Sequence, residues 1–303
     1  MTQYYSLNQY LLEKFHTKVY KIALNGNMSC PNRDGSIGHK GCIFCSEGGS
    51  GDFAEDALLS VTEQIEAGKQ KISAKYNGSS YIAYFQAYTN TYAPVEYLEK
   101  IFTEAICHPD VVCLSVATRP DCLDTDKIAL LSRLNQIKPV WVELGLQTIH
   151  ENTASYIRRG YDLSLFDHAM DMLNTAGIET IVHMIIGLPG ESRSMILDTA
   201  RYIARCGAKG IKLQLLHVLK NTDLAADYES GSFEVLSLEE YTHILMEIIK
   251  ILPKNMVIHR LTGDGPKKLL IAPLWSADKK NVLNTLNRAF SINNIIQGSN
   301  YTP

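Results

Sequence analysis

Three cysteines fall within sixteen residues of this chain, Cys30-Pro-Asn-Arg-Asp-Gly-Ser-Ile-Gly-His-Lys-Gly-Cys42-Ile-Phe-Cys45, and the run ends in a tight Cys-x-x-Cys. Pro31, Gly35, Gly38 and Gly41 break any regular helix or strand between the first thiol and the pair, so the segment is a loop. A loop that gathers three thiolates round one point is a metal or cluster site. The residues alone leave two readings open. With His39, the three cysteines make a Cys₃His set for structural zinc. Without it, three thiolates hold three irons of a [4Fe–4S] cluster and leave the fourth iron open to a ligand.

The bulk numbers narrow the setting. At 303 residues, 46% hydrophobic and 20% charged, the chain has the composition of a soluble globular protein with a full core. No apolar run reaches membrane-spanning length, and MTQYYSLNQYLLEKF has no basic region ahead of an apolar block, so neither a membrane partner nor a secretory leader is expected. Seven cysteines, three of them in one loop, suit a reducing compartment better than a disulfide framework, and a cytosolic location is expected. Cys107, Cys113, Cys122 and Cys206 read as buried structural thiols. Net charge is −3, which argues against a strongly basic nucleic-acid binder, but its distribution is uneven. From Lys250 to Pro303 eight Lys/Arg stand against Asp264 and Asp278, so this stretch is +6 and the preceding 249 residues are −9. A basic end on an acidic body offers a phosphate-contacting surface.

The remaining residues must position the cysteine loop. Strand patterns over 18–24, 81–85, 111–117, 140–146, 180–186 and 210–216 alternate with helical patterns over 58–71, 94–106, 124–135, 165–176, 193–206 and 238–251. Six such repeats predict a parallel sheet with helices packed outside it. The strands are apolar on both faces, with Gln86, Arg119, Glu143, Gln147, His183, Lys212 and His217 near their C-terminal ends, the rim where parallel α/β folds bind ligands. A six-stranded incomplete barrel and an open doubly wound sheet both fit. Neither a Gly-x-Gly-x-x-Gly after the first strand nor a Walker loop is present.

Other motifs add to the cysteine loop. Ala117-Thr118-Arg119-Pro120-Asp121 follows the third strand, Val142-Glu143-Leu144-Gly145-Leu146-Gln147-Thr148 spans the fourth, and Arg158-Arg159-Gly160-Tyr161 comes next. His183-Met184-Ile185-Ile186-Gly187-Leu188-Pro189-Gly190-Glu191 closes the fifth. Together with the eleven-residue gap between Cys30 and Cys42, these resemble the radical S-adenosylmethionine (SAM) superfamily, in the branch related to the catalytic subunit of Elongator. The whole length, with its Val257-Ile258-His259-Arg260-Leu261-Thr262-Gly263-Asp264-Gly265-Pro266 ending, looks like a stand-alone bacterial family of that branch. Two departures stand out. Phe85-Gln86-Ala87-Tyr88 replaces the usual Gly-Gly-Glu after the second strand, and no acetyltransferase domain follows the radical domain.

The resemblance implies an α/β fold, a partial (β/α)₆ TIM-type barrel, divided into an N-terminal segment (1–19), a radical SAM core (20–252) and a basic C-terminal extension (253–303). It implies that Cys30, Cys42 and Cys45 ligate a [4Fe–4S] cluster whose open iron takes SAM, and that an electron donor such as flavodoxin or ferredoxin is a partner. Phe44 is expected at the adenine. Gln86, Tyr88, Arg119, Glu143, Gln147 and Arg159 are expected around the rest of SAM. His183, His217 and Lys212 are the candidates for catalysis. Arg33, His39 and Lys40 are expected on the substrate side of a lid. Arg260, Lys267, Lys268, Lys279 and Lys280 are expected to meet RNA, with the Thr262–Pro266 run as a turn that offers N–H groups to phosphate. The implied substrate is tRNA, at the C5 side chain of the wobble uridine. Radical chemistry on a small metabolite or a protein is the alternative among enzymes, and a zinc-stabilised RNA-binding protein the alternative outside them.

Overall fold

The computed structural model describes residues 3–49, 51–74, 76, 78–263 and 265–302. Its centre is one parallel sheet in the order β1 (Tyr20–Leu24), β2 (Tyr81–Phe85), β3 (Val111–Thr118), β4 (Val140–Gln147), β5 (Glu179–Ile186) and β6 (Gly210–Leu215), with one more strand beyond β6. The strands are Val-, Ile- and Leu-rich and buried on both faces, as parallel strands between a helical layer and an interior must be. In register Tyr20 lies beside Tyr81, Leu114 beside Val140, and His183 beside Lys212. The sheet curls strongly. Lys212 on β6 donates to the Tyr84 hydroxyl on β2 at 3.2 Å, although four strand spacings of a flat sheet would separate them by roughly 19 Å. The result is a partial TIM-type barrel of seven strands.

Helices cover the outside: α2 (Val61–Ile72), α3 (Val95–Cys107), α4 (Thr125–Asn135), α6 (Leu163–Thr175), α7 (Arg193–Arg205) and α9 (Leu238–Ile251). Side-chain caps set the starts of α2, α4, α7 and α9. Ser60 with Glu63 and Ser237 with Glu240 form capping boxes, and Asp124 caps α4, so α2 and α4 start inside the apolar pattern, at Val61 and Thr125, while α9 starts at Leu238 as the pattern predicts. The apolar faces of these helices join the strands in one large core.

The sequence pattern did not bring out four helices and three strands. Helix α1 (Leu7–Phe15) packs Tyr10 and Leu11 against Ile82, Trp141, Ile181 and Val257, at the strand ends away from the cysteine loop. Short helices α5 (Glu151–Tyr156) and α8 (Asp223–Glu229) follow β4 and the two-residue strand β7 (Val218–Leu219). Strand β8 (Val257–Arg260) is the seventh of the sheet: it runs parallel to β6, with Gly210 beside Val257 and Lys212 beside Arg260. It comes from the stretch expected as an extension, and at four residues it is too short to show a pattern. Strand β9 (Leu270–Ala272) pairs antiparallel with β7, and α10 (Lys279–Ile292) buries Val282, Leu286 and Phe290.

Candidate active site

The cysteine loop sits over the C-terminal ends of the strands and is held by its own backbone. Arg33 and Asp34 donate N–H bonds to the Cys30 carbonyl, Ile37 and Gly38 to Pro31, and Gly41 to Asn32. The eleven residues between Cys30 and Cys42 thus form a compact knot of turns. The Asn32 side chain, 4% exposed, donates to the carbonyls of Arg158 (2.7 Å) and Arg159 (3.3 Å) and fastens the knot to the loop after β4. Gly160 lies against this contact with φ +80, and a Cβ there would stand 2.5 Å from the Asn32 amide oxygen. On the other side, Ile43 donates to the Ile157 carbonyl and accepts from Leu224 of α8.

Beneath the loop lies a cavity of about 200 Å³ with Cys30, Cys42, Cys45 and Phe44 in its wall. The strands line it in two layers. Gln86, Ala117, Gly145, Ile185 and Gln214 form a rim, and Tyr84, Glu143, His183 and Lys212 form a floor. Ser115 belongs to the floor as well, through its bond to Glu143. Each floor residue is two positions before its rim partner on the same strand. The shared face of a strand repeats every two residues, so the floor is about 7 Å deeper. Tyr88 and Gln147 in the cavity wall, and Arg158 where its carbonyl meets Asn32, adopt positive φ (58°, 68° and 56°), a conformation uncommon outside glycine that concentrates at functional sites.

Glu143 is the centre of the floor. One carboxylate oxygen accepts from Lys21 Nζ at 2.6 Å and Ser115 Oγ at 2.9 Å, and the other from His183 Nε2 at 2.9 Å and from Lys212 Nζ. Burial alone would push the Glu143 carboxyl up, but Lys21, then Lys212 and His183, hold it well below the usual carboxylate range. Burial, and then the charges of Lys21 and Arg260, bring the Lys212 amine down to about 7 against the pull of Glu143. Burial and the Lys212 charge likewise bring His183 down to about 4, so its imidazole is neutral at pH 7. Lys21 and Lys212 each lie 4.7 Å from the centre of the Tyr84 ring.

The structure brings together many of the residues singled out in the sequence. Arg33, Phe44, Gln86, Tyr88, Arg119, Glu143, Gln147, Arg159, His183, Lys212 and Arg260 all line the cavity with the three cysteines. Their roles in the geometry differ. Arg119 is bidentate to Asp121 (2.9 and 2.8 Å) and lies over the Tyr161 ring. Arg159, 2% exposed, donates to the carbonyls of Tyr161 and Thr148 and to Glu151, so it braces the turn after β4. Arg33 donates to the Cys45 and Ser46 carbonyls and so binds the cysteine loop to itself. Glu143, His183 and Lys212 lie within their strands, a layer below the rim expected from sequence, because the strands continue past them. His217 lies off the cavity, against Gly263 and Gly265; Asp264 of that turn is outside the described residues. His39 and Lys40 are exposed, and Lys40 reaches Asp223 at the head of α8 at 3.8 Å. Lys267, Lys268, Lys279 and Lys280 are exposed on the C-terminal stretch. The sequence reading missed Lys21, Ser115 and Asn32. A single polar residue on each apolar strand was the available signal for the first two.

A zinc site with His39 does not fit. Four ligands at zinc stand about 3.8 Å apart, given tetrahedral Zn–S bonds near 2.3 Å. Among the described residues, three such donor atoms come within 4.8 Å of one another only at Glu66, His108 and Asp110, so the three thiols stand wider than one ion requires. At that other cluster the Lys69 ammonium already bonds Glu66 (2.8 Å) and Asp110 (2.6 Å). Three thiols outside any disulfide, spread round the mouth of one cavity, suit a larger polynuclear group.

The Radical SAM superfamily profile matches residues 34–203, and the Radical_SAM C-terminal domain profile matches 208–291. The chain belongs to the radical SAM superfamily. YtqA of Bacillus subtilis (strain 168) is 44% identical over 296 residues, 98% of this chain and 92% of that protein. The tRNA uridine(34) acetyltransferase of Methanocaldococcus jannaschii is 24% identical over 163 residues, 53% of this chain and 30% of that protein. Among solved structures, the archaeal Methanocaldococcus infernus Elp3 with an N-terminal deletion shares the fold at a TM-score of 0.70 and 18% identity, over 92% of this chain and 64% of that one. Radical SAM enzymes work with a [4Fe–4S] cluster and SAM. The donor set fits: Cys30, Cys42 and Cys45 would hold the cluster, with Phe44 and the rim residues beside it for SAM. No helix among the described residues is long and apolar enough to cross a membrane.

Proposed function

We propose that this radical SAM enzyme modifies tRNA at the C5 side chain of the wobble uridine, acting on an aminomethyl-type group. The observation that carries the reading is the likeness to a protein named for tRNA uridine 34, over 163 residues. The exposed Lys267, Lys268, Lys279 and Lys280, on a stretch of net charge +6, supply a surface for the phosphate backbone. When bound, cluster and SAM supply a hydrogen-abstracting deoxyadenosyl radical. The chain's own contribution is positional. Asn32, Arg33 and Arg159 fix the loops, Phe44 offers a flat apolar face for the adenine, and the loop covers the cavity from above. A flavodoxin- or ferredoxin-type protein provides the electron.

Deleting the gene and profiling tRNA nucleosides by mass spectrometry tests the substrate. A wobble uridine that loses its mature C5 side chain is the expected outcome, and an unaltered profile overturns the proposal. Neutralising Lys267, Lys268, Lys279 and Lys280 together should weaken tRNA binding and lower its salt slope by up to about four.

A further inference from the structure

The floor of the cavity holds more base than one carboxylate can neutralise. Lys21 from β1, His183 from β5 and Lys212 from β6 all converge on Glu143. In a buried site one carboxylate offsets one ammonium, and a second ammonium there is costly. The two lysines are not equivalent. The Lys21 side chain is 22% exposed and the Lys212 side chain 6%, so Lys21 keeps the water contact that an ion requires and Lys212 does not. Lys212 is therefore the amine that gives up its proton, while Glu143 stays paired with Lys21. Its Nζ also touches the Tyr84 hydroxyl, and it lines the same cavity as the three cysteines, two residues below Gln214 of the rim.

We propose that Lys212 is the base that takes a proton from the substrate inside the barrel. Loss of a hydrogen atom from a C–H next to nitrogen or oxygen makes the neighbouring N–H or O–H more acidic, and a neutral amine within reach accepts it. One proton passes to Lys212 Nζ, the electron pair stays on the substrate heteroatom, and no oxidant is required. Glu143 then faces a full ammonium, which stabilises the product of the transfer. His183 is neutral and donates to Glu143, and His259, also held neutral by burial, adds no charge, so Lys212 is the floor group that changes charge near neutral pH.

Only the probe, tRNA, is borrowed from the function proposed above. Wild-type protein labelled with ¹³C-lysine, with the Lys212 signal assigned through Lys212→Arg, is titrated by NMR. A Lys212 midpoint near about 7, against about 10 for ordinary lysines, is expected; a midpoint above about 9.5 overturns the inference. In parallel, the reconstituted full-length enzyme is assayed on bulk tRNA from cells lacking the gene, from pH 5.5 to pH 8.5 (about one unit steps). Product formation should rise about tenfold per pH unit below the midpoint, and Lys212→Arg should lower it at least about 100-fold and flatten that limb. A pH limb unchanged in Lys212→Arg assigns the residue a structural role and overturns the inference. If wild-type enzyme leaves all tRNA unaltered, the function reading falls, and the NMR midpoint alone upholds or overturns the proton state of Lys212. That measurement needs no folded variant beyond the assignment, which a Lys212→Met sample supplies equally.

Discussion

At the scale of single residues, three thiols and one buried carboxylate organise the site. Replacing Cys30, Cys42 or Cys45 by Ala should abolish the iron–sulfur absorbance of anaerobically reconstituted protein and stop deoxyadenosine formation from SAM. Cys107, expected from sequence to be buried, is instead exposed at the end of α3 and away from the cavity, and Cys107→Ala should leave both as they are. His183 gives a prediction whose sign follows from its folded value of about 4, below the ordinary 6.5. Between these values the unfolded chain binds a proton that the folded one refuses, so stability falls as pH drops through that window and is unaffected above it. Denaturant melts at pH 4.5 and pH 7 (about the two ends) should show His183→Gln losing much of this slope, worth on the order of 3 kcal/mol. That the three cysteines meet at one cavity was legible because three thiols in one glycine-rich loop are brought together by local chain reversal. Glu143 was legible as a charge that an apolar strand cannot bury unpaired. Its partners were not: Lys21 and Lys212 meet it from strands three places to one side and two to the other, a proximity created by curling rather than by any local spacing.

At the scale of elements, the alternation of strand and helix was plain because parallel strands must be apolar along their whole length, and the outer helices must be apolar on one side only. What escaped was short or locally unmarked, such as β8 with four residues and α5 with six. The junction that matters most joins two loops rather than two regular elements. Asn32 reaches from the cysteine loop to the Arg158 and Arg159 carbonyls, and Gly160 leaves it the room to do so. Gly160→Ala would combine a positive φ with a methyl group against the amide, and should cost about 1–3 kcal/mol through strain and the lost bonds. Because those bonds hold the cysteine loop down, iron content after reconstitution should drop along with the melting temperature. Asn32→Ala should match the loss of iron with less strain. Equal iron in both variants and wild type would show that the loop is held by other means.

At the scale of the whole molecule, the basic C-terminal stretch is part of the barrel wall. Val257 and Ile258 are buried, β8 covers the edge of β6, and Gln297 accepts from the Tyr5 N–H at 2.7 Å while its own N–H donates to Gln3. Ending the chain after Leu252 should therefore give aggregated or unfolded protein, detectable as loss of the cooperative circular-dichroism melt; a soluble, cooperatively melting core would contradict it. The same stitching of residues 3–6 to 258 and 297 has a consequence in time. Gln297 is made 252 residues after Cys45, so at a synthesis rate of 5–20 residues per second the barrel stays unsealed for roughly 10–50 s after its cysteines are made. Alkylation of ribosome-stalled chains should find Cys42 more reactive before β8 is made than after, and equal reactivity at both lengths would show that the late-made wall does not govern access to the cysteine loop.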